Sequence, residues 1–197
     1  TRSDGSKFGK SESGEALWLD INKTSSYELY QYFINAEDDK VIEYLKKLTF
    51  LTKEEIEELE ISLKEHPEER KAQKALAKEI ITFLHGEEEY KKALHISESL
   101  FSDRIWELTA DEIIESIKDV PRFEVQNEAN LVDVLVDNKI VSSKREAREM
   151  ISSGAVSINN EKVKDLDKVI TNKDAIDGKV LLIKKGKKNY FIGLMEK

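Results

Sequence analysis

Amphipathic helices dominate residues 21–121, and their start signals can be read directly from the sequence. Thr52–Glu55 and Thr109–Glu112 are capping boxes, in which a hydroxyl and a glutamate three residues later satisfy free amides at a helix N-terminus. Apolar residues such as Leu76, Ile80 and Leu84 recur at helical spacing, and Gly86 then ends the pattern. The sequence therefore predicts a bundle of about six helices that ends near Pro121.

Weaker signals complete this part of the chain. Leu17 to Ile21 indicates a short extended segment, Ser25 or Ser26 opens the first helix, and Pro67 suits the first turn of a later one. One aromatic cluster follows helical spacing, so we expect most of it in the core rather than stacked on unpaired bases. Its members are Tyr27, Tyr30, Tyr32 and Phe33. We assign no role to the three histidines.

The C-terminal part changes to a mixed pattern after residues 122–129, which lack periodicity and suggest a linker. A short helix is predicted around residues 131–136, and Ser143 to Glu146 predicts a third capping box for the next helix. A strand at 155–158, a tight turn at Asn159-Asn160 and two strands around 179–184 and 189–194 follow. The fold class is mainly α with a small α+β domain over residues 130–197.

The segment Lys7-Phe8-Gly9-Lys10-Ser11 lies in a glycine- and serine-rich run, and it carries charges that suit a polyphosphate. It is not a P-loop, because the first glycine of that motif would have to stand at position 4, which is Asp4. The same residues can also be a flexible basic tail.

Charge divides unevenly along the chain. Residues 1–127 hold 18 Lys+Arg against 29 Asp+Glu, a net charge of −11, whereas residues 128–197 hold 14 against 11, a net charge of +3. The asymmetry indicates two units with different partners, and the C-terminal unit is the one suited to phosphates. There is no cysteine and no long apolar run, so neither a disulfide framework nor a membrane span is expected.

The KFGKS segment resembles the Lys-x-x-Lys-Ser loop of class I aminoacyl-tRNA synthetases, in the form used by bacterial tyrosyl-tRNA synthetases. Further runs match that family in order, at Lys23 to Tyr27, Thr49 to Ile56 and Leu84 to Glu88. The resemblance implies that Lys7, Lys10 and Ser11 act at the phosphates of ATP, with Lys10 binding ATP, when tyrosine is adenylated.

The resemblance also divides the chain. Residues 1–20 would be the tail of the catalytic domain, 21–121 the anticodon-binding helical domain, 122–129 a linker and 130–197 an RNA-binding domain. It implies a cytoplasmic, dimeric tyrosine–tRNA ligase that uses ATP with Mg²⁺, tyrosine and the tRNA for tyrosine. The chain itself is expected to be a C-terminal fragment, monomeric, without a cofactor and inactive in adenylation.

The C-terminal pattern resembles the RNA-binding module named after ribosomal small-subunit protein S-four. Its hallmark helix, Ser-x-x-x-Ala-x-x-x-Ile-x-x-Gly, is matched by Ser143, Ala147, Ile151 and Gly154, although Asn160 stands where the turn usually has glycine. In this context the cations on that helix, on the next turn and at the last hairpin are predicted to contact RNA, the helix N-terminus adding free amides. They are Lys144, Arg145, Arg148, Lys162, Lys184, Lys185, Lys187 and Lys188.

Two other functions fit parts of the same evidence. A stand-alone protein that binds structured or ribosomal RNA would explain the C-terminal module. A helical protein–protein adaptor would explain the acidic N-terminal part, whose cluster at Glu54 to Glu60 repels phosphate. The adaptor should ignore tRNA, and the ribosomal-RNA binder should not prefer one tRNA over another.

Overall fold

A computed structural model of the chain describes residues 17–118, 120–187 and 189–196. Within them the chain forms a helical unit up to Ser97 and a mixed unit from Glu98 onward. The helices are α1 (Ser26–Ile34), α2 (Asp38–Leu48), α3 (Lys53–Glu65), α4 (Lys71–His85), α5 (Glu87–Ser99), α6 (Ala110–Ser116), α7 (Leu131–Asp137) and α8 (Lys144–Ser152). The strands are β1 (Arg122–Val125), β2 (Ala129–Asn130), β3 (Val156–Ile158), β4 (Glu161–Lys162), β5 (Val169–Ile170), β6 (Val180–Lys185) and β7 (Asn189–Met195).

Helix α4 is the central element of the first unit, where it packs against α1, α2 and α3. Leu76 and Ile81, in its apolar stripe, are fully buried. The predicted capping box at Thr52 is confirmed, and Gly86 ends α4 with a positive φ of 93°, a conformation that glycine tolerates best. Tyr27, Tyr30 and Phe33 are buried, so these rings belong to the core, as their spacing predicted.

Two local predictions in this unit are wrong. Pro67 opens a separate 3-10 turn, Pro67–Glu69, and α4 begins only after Arg70, whose left-handed backbone breaks the helix between them. Residues 17–21 form no strand; the chain turns at Asp20, whose carbonyl oxygen accepts from the amides of Lys23 and Thr24. The aspartate carboxylate also accepts from the Asn22 backbone, which favours a turn over an extended strand.

The second unit is built on a five-stranded sheet in the order β1-β7-β6-β3-β4. β1 pairs with β7 in parallel and the remaining neighbours are antiparallel. Helices α7 and α8 cover one face, which we call the inner face, and bury residues such as Leu135, Ile151 and Ile183 with it. The tight turn predicted at Asn159-Asn160 is present, since both residues have the positive φ of a two-residue hairpin.

The segment from Glu98 to Ile117 belongs to this second unit, although its pattern had placed it in the helical bundle. Successive residues of a strand point to opposite faces, so Leu182 lies on the face opposite Ile183. Both are fully buried, which means that the outer face also needs a cover. Helix α6 packs against β6, and the Ala110 amide donates to the Asp177 carboxylate at 2.8 Å. The predicted capping box at Thr109 is confirmed.

Residues 122–129 are not a linker, because β1 and the first residue of β2 lie there. Arg122 to Val125 pairs with Ile192 to Met195, which lie about 70 positions later in the sequence. Such a short strand shows no clear periodicity, and only its distant partner makes it a strand.

Candidate RNA-binding surface

The two lysines at the end of β6 have different surroundings because strand residues alternate between faces. Lys185 points to the inner face, where its ammonium donates to the carbonyl oxygen of Ile140 at 2.7 Å and approaches Glu146 Oε1 at 3.4 Å. The Lys185 ammonium therefore links the α7–α8 connection to the sheet through these contacts. Lys185, predicted to contact RNA, has a structural role here, whereas Lys184 points to the outer face.

Helix α8 exposes three of the predicted cations. Lys144 pairs with Asp133 at 2.5 Å and Arg145 with Glu149 at 3.2 Å, and both pairs are at the surface. Surface ion pairs contribute little, so a phosphate can replace the carboxylate at small cost. Arg148 is exposed and has no ion-pair partner within the described ranges, which leaves its guanidinium available for a phosphate.

The N-terminus of α8 differs from the prediction. Ser143 accepts from the Glu146 amide at 3.2 Å, but the Glu146 carboxylate accepts from the hydroxyl and amide of Ser142, at 2.6 and 2.8 Å. It is therefore not a full capping box. The hydrogen bonds from Ser142 lower the pKa of Glu146, the one from its hydroxyl more than the one from its amide, so this carboxylate is anionic. A negative charge beside the first turn disfavours a phosphate there, contrary to the expected amide site.

Lys162 lies at the other end of α8, next to Lys164, which the sequence reasoning missed. Gly154 follows α8 with φ +70°, and a Cβ placed on it would lie 3.5 Å from Lys164 Cε and 3.8 Å from Lys162 Cδ. Both exposed lysines thus pass over the turn between α8 and β3. The sequence could have predicted Lys164 as well. In extended chain, residues two positions apart point to the same side, so Lys164 should lie beside Lys162.

A row of paired residues crosses the outer face of the sheet. Ser157 in β3 pairs with Lys162 on one side and Lys184 on the other, and Lys184 pairs with Tyr190 in β7. Directly paired residues share a face. Because one strand lies between them, the Cα atoms of Lys162 and Lys184 are about 10 Å apart, which is twice the spacing of neighbouring strands. We call Lys162, Ser157, Lys184 and Tyr190 the basic row. The Lys184 ammonium lies 5.2 Å from the centre of the Tyr190 ring.

The remaining predicted site residues have simple outcomes. Lys187 is exposed in the turn after β6. Lys7, Lys10, Ser11 and Lys188 lie outside the described residues. Within the part of the chain that the structure describes, His, Asp and Glu form no cluster able to hold a metal ion, and no helix is long and apolar enough to cross a membrane.

Two family models match the chain in succession. The model described as tRNA synthetases class I (W and Y) matches residues 1–102. The model described as the tyrosine–tRNA ligase SYY-like C-terminal domain matches residues 112–193, which contain α8 and the basic row.

The curated relatives agree with these matches. The chain is 51% identical over 193 residues to tyrosine–tRNA ligase 1 of Bacillus anthracis, covering 98% of this chain and 46% of that relative. It is 50% identical over 194 residues to tyrosine–tRNA ligase 2 of Enterococcus faecalis, with the same coverage of each protein. The chain thus spans less than half the length of the curated relatives that it matches.

Solved structures with similar sequences include a solution structure of a tyrosyl-tRNA synthetase C-terminal domain. It is 39% identical and covers 49% of this chain and 99% of its own, with a TM-score of 0.40. A truncated mitochondrial tyrosyl-tRNA synthetase of Aspergillus nidulans is 41% identical over 44% of this chain and 25% of its own, with a TM-score of 0.42.

Proposed function

Since the chain belongs to the family of class I tRNA synthetases for tryptophan and tyrosine, we propose that it is the tRNA-binding part of a tyrosine–tRNA ligase. The observation that carries the proposal is the order of the two family matches, a synthetase model followed by the C-terminal domain model of tyrosine–tRNA ligases. In this proposal the helical unit acts in anticodon binding and the mixed unit in RNA binding. The RNA is the tRNA for tyrosine.

Phosphate contacts supply the affinity in this proposal. Arg148 on α8, with Lys162 and Lys164 beyond its C-terminal end, is exposed in residues 128–197, the part of the chain with a net charge of +3. Lys144 and Arg145 contribute by exchanging carboxylate partners for phosphates. Such contacts hold RNA without reading its sequence, and salt weakens them.

The chemistry belongs to the longer protein. We propose that it forms tyrosyl-adenylate from tyrosine and ATP with Mg²⁺, as a cytoplasmic dimer, with Lys7, Lys10 and Ser11 at the ATP phosphates. Adenylation is then expected to need the part of the relatives' length that this chain does not span. Tyrosine-dependent ATP–pyrophosphate exchange by the chain alone would contradict that expectation.

The test is a fluorescence-anisotropy titration of labelled tyrosine tRNA against a second tRNA, at two salt concentrations. Binding should prefer the tyrosine tRNA, and Arg148→Ala should weaken it and reduce the salt slope by about one. Lys173→Ala is the matched control, since Lys173 is an exposed cation that lies outside both α8 and the basic row. It should leave binding unchanged.

The alternatives predict other outcomes of the same titration. Equal binding of both tRNAs would favour a general RNA-binding protein. Absence of binding at low salt would favour the protein–protein adaptor.

A further inference from the structure

Phe101 is a large apolar side chain held at the surface of the mixed unit. It is 53% exposed, and its ring centre lies 5.2 Å from that of Tyr190, with the two ring planes tilted by 54°. Tyr190 is half-buried at the end of the basic row. The pair therefore offers exposed aromatic surface beside the Lys184 ammonium.

The backbone on both sides of Phe101 is fixed by one side chain. The Asn160 amide donates to the carbonyl oxygens of Leu100 at 3.1 Å and Ser102 at 2.7 Å. The Ser102 amide also donates to the Ser99 carbonyl oxygen at 3.1 Å. Because the chain is already ordered here, a ligand that covers the Phe101 ring has little conformational entropy to remove.

The basic row makes one side of this aromatic pair cationic, whereas Glu98 and Asp103 are exposed carboxylates near Phe101 in sequence. The basic row carries two ammonium groups and no carboxylate, and Lys187 is exposed in the neighbouring turn. Aromatic faces beside cations suit single-stranded nucleic acid, since every base has a face that stacks and every phosphate is negative. An apolar protein partner would gain nothing from the lysines.

We propose that Phe101 and Tyr190 form a stacking site for an unpaired nucleobase of RNA, with Lys184 and Lys162 contacting the adjacent phosphates. The inference rests on the proposed function for the class of ligand and adds the place where a base is held. Paired bases inside a helix do not present a free face, so the site selects single-stranded RNA.

The experiment uses the full chain and three RNA probes, each of about eight nucleotides, the length that a small RNA-binding domain covers. They are a single strand, the same strand with abasic sugars that keep the phosphates, and the matching duplex. Binding is measured by anisotropy, and the Phe101 and Tyr190 ring signals are followed by NMR up to millimolar RNA. The single strand should bind about tenfold tighter than the abasic strand, and it should shift both ring signals.

Variants of Phe101 separate loss of stacking from loss of folding. Phe101→Ala should remove the preference for the base-containing strand, and Phe101→Trp should retain it. Trp106→Ala is the control, because Trp106 is another exposed aromatic side chain of the mixed unit, 46% exposed, and belongs neither to the Phe101–Tyr190 pair nor to the basic row. This control should leave the preference unchanged.

Three results overturn the stacking site: no ring shift at millimolar RNA, equal binding of the base-containing and abasic strands, or a Phe101→Ala variant that keeps the preference. If tyrosine tRNA still binds in a salt-dependent manner, the proposed function stands without this site. If the preference is present but the two tRNAs bind equally, the stacking site stands and the tRNA assignment falls.

Discussion

The side chain of Asn160 is tied to the main chain of Ser102, through a 2.7 Å hydrogen bond from its amide to the Ser102 carbonyl oxygen. Asn160 has φ 66°, where glycine would be free of strain. Asparagine accepts this backbone cost because its amide also reaches Leu100, at 3.1 Å. The residue that departs from the usual turn pattern thus anchors the segment that covers the outer face of the sheet.

Replacing Asn160 should destabilise the mixed unit to a degree that depends on the substitute. Asn160→Gly relieves the left-handed backbone but loses both hydrogen bonds, so we expect a net loss of about 1 kcal/mol. Asn160→Asp keeps the shape of the side chain but places a carboxylate oxygen against two carbonyl oxygens. We expect this to lower the unfolding free energy by about 2–3 kcal/mol. Urea unfolding of both variants measures the difference. A glycine variant more stable than the natural chain would refute the anchoring role.

The sequence predicted the local features well and the distant pairings poorly. Capping boxes and the Gly86 stop depend on neighbouring residues, so the predictions around Thr52 and Thr109 are confirmed. The strand at Arg122 to Val125 depends on β7, which is distant in sequence, and was missed. The cover formed by residues 98–117 was missed for the same reason, since its helical spacing reveals an apolar face but not which surface buries it.

Gly193 allows β1 to approach β7. A Cβ placed on Gly193 would lie 2.9 Å from Val125 Cγ2, closer than two carbon atoms can pack. Val125 is 1% exposed and its branched side chain has no free direction. Gly193→Ala should therefore cost about 1–3 kcal/mol of unfolding free energy by overpacking.

A double-mutant cycle checks this contact. In a Val125→Ala background the added methyl of Gly193→Ala has room, so the double variant should be less destabilised than the sum of the two single variants. Thermal and urea unfolding of the four proteins give the coupling energy. Strict additivity would mean that the two residues do not restrict each other.

At the site, the alternation of β6 side chains between the two faces of the sheet determines which of its lysines can contact RNA. The hairpin sequence shows Lys184 and Lys185 as equivalent charges, yet the structure uses the Lys185 ammonium to bind Ile140 and leaves Lys184 beside Tyr190. Sequence alone gives the alternation but not which face the helices cover. Phe101 lies within residues 21–121, where the sequence predicts only a helical bundle, and nothing near it in sequence points to Tyr190 or Asn160.

Stability of the helical unit should depend on alkaline pH through Tyr27. Burial raises the pKa of its phenol to about 12 from 10.0, because the charged phenolate is poorly solvated in the core. The raised folded-state pKa means that the neutral phenol's contribution is complete below about pH 10 and is lost between about pH 10 and 12, by about 1.4 kcal/mol per pH unit. The free-energy difference between the natural chain and Tyr27→Phe, from urea unfolding, should shift accordingly. Parallel pH curves for the two proteins would contradict this prediction.

His85 links helix α4 to the segment that leads into the bundle. Its Nε2 lies 2.9 Å from the carbonyl oxygen of Leu19, which can only accept, so this nitrogen carries the hydrogen. Its Nδ1 lies 2.9 Å from the Ser26 hydroxyl, which contacts Glu89 at 3.0 Å. The histidine thus joins α4 to Leu19, which lies 66 positions earlier in the chain.

Removing this bridge should loosen the segment around Trp18. His85→Leu keeps the bulk but makes neither hydrogen bond, so we expect a loss of about 1–2 kcal/mol and greater quenching of Trp18 fluorescence by acrylamide. The measurement uses a Trp106→Phe background, which leaves Trp18 as the single indole of the chain. His66→Leu is the control, because His66 follows α3 with a largely exposed side chain. Unchanged quenching in His85→Leu would mean that other contacts hold the segment around Trp18.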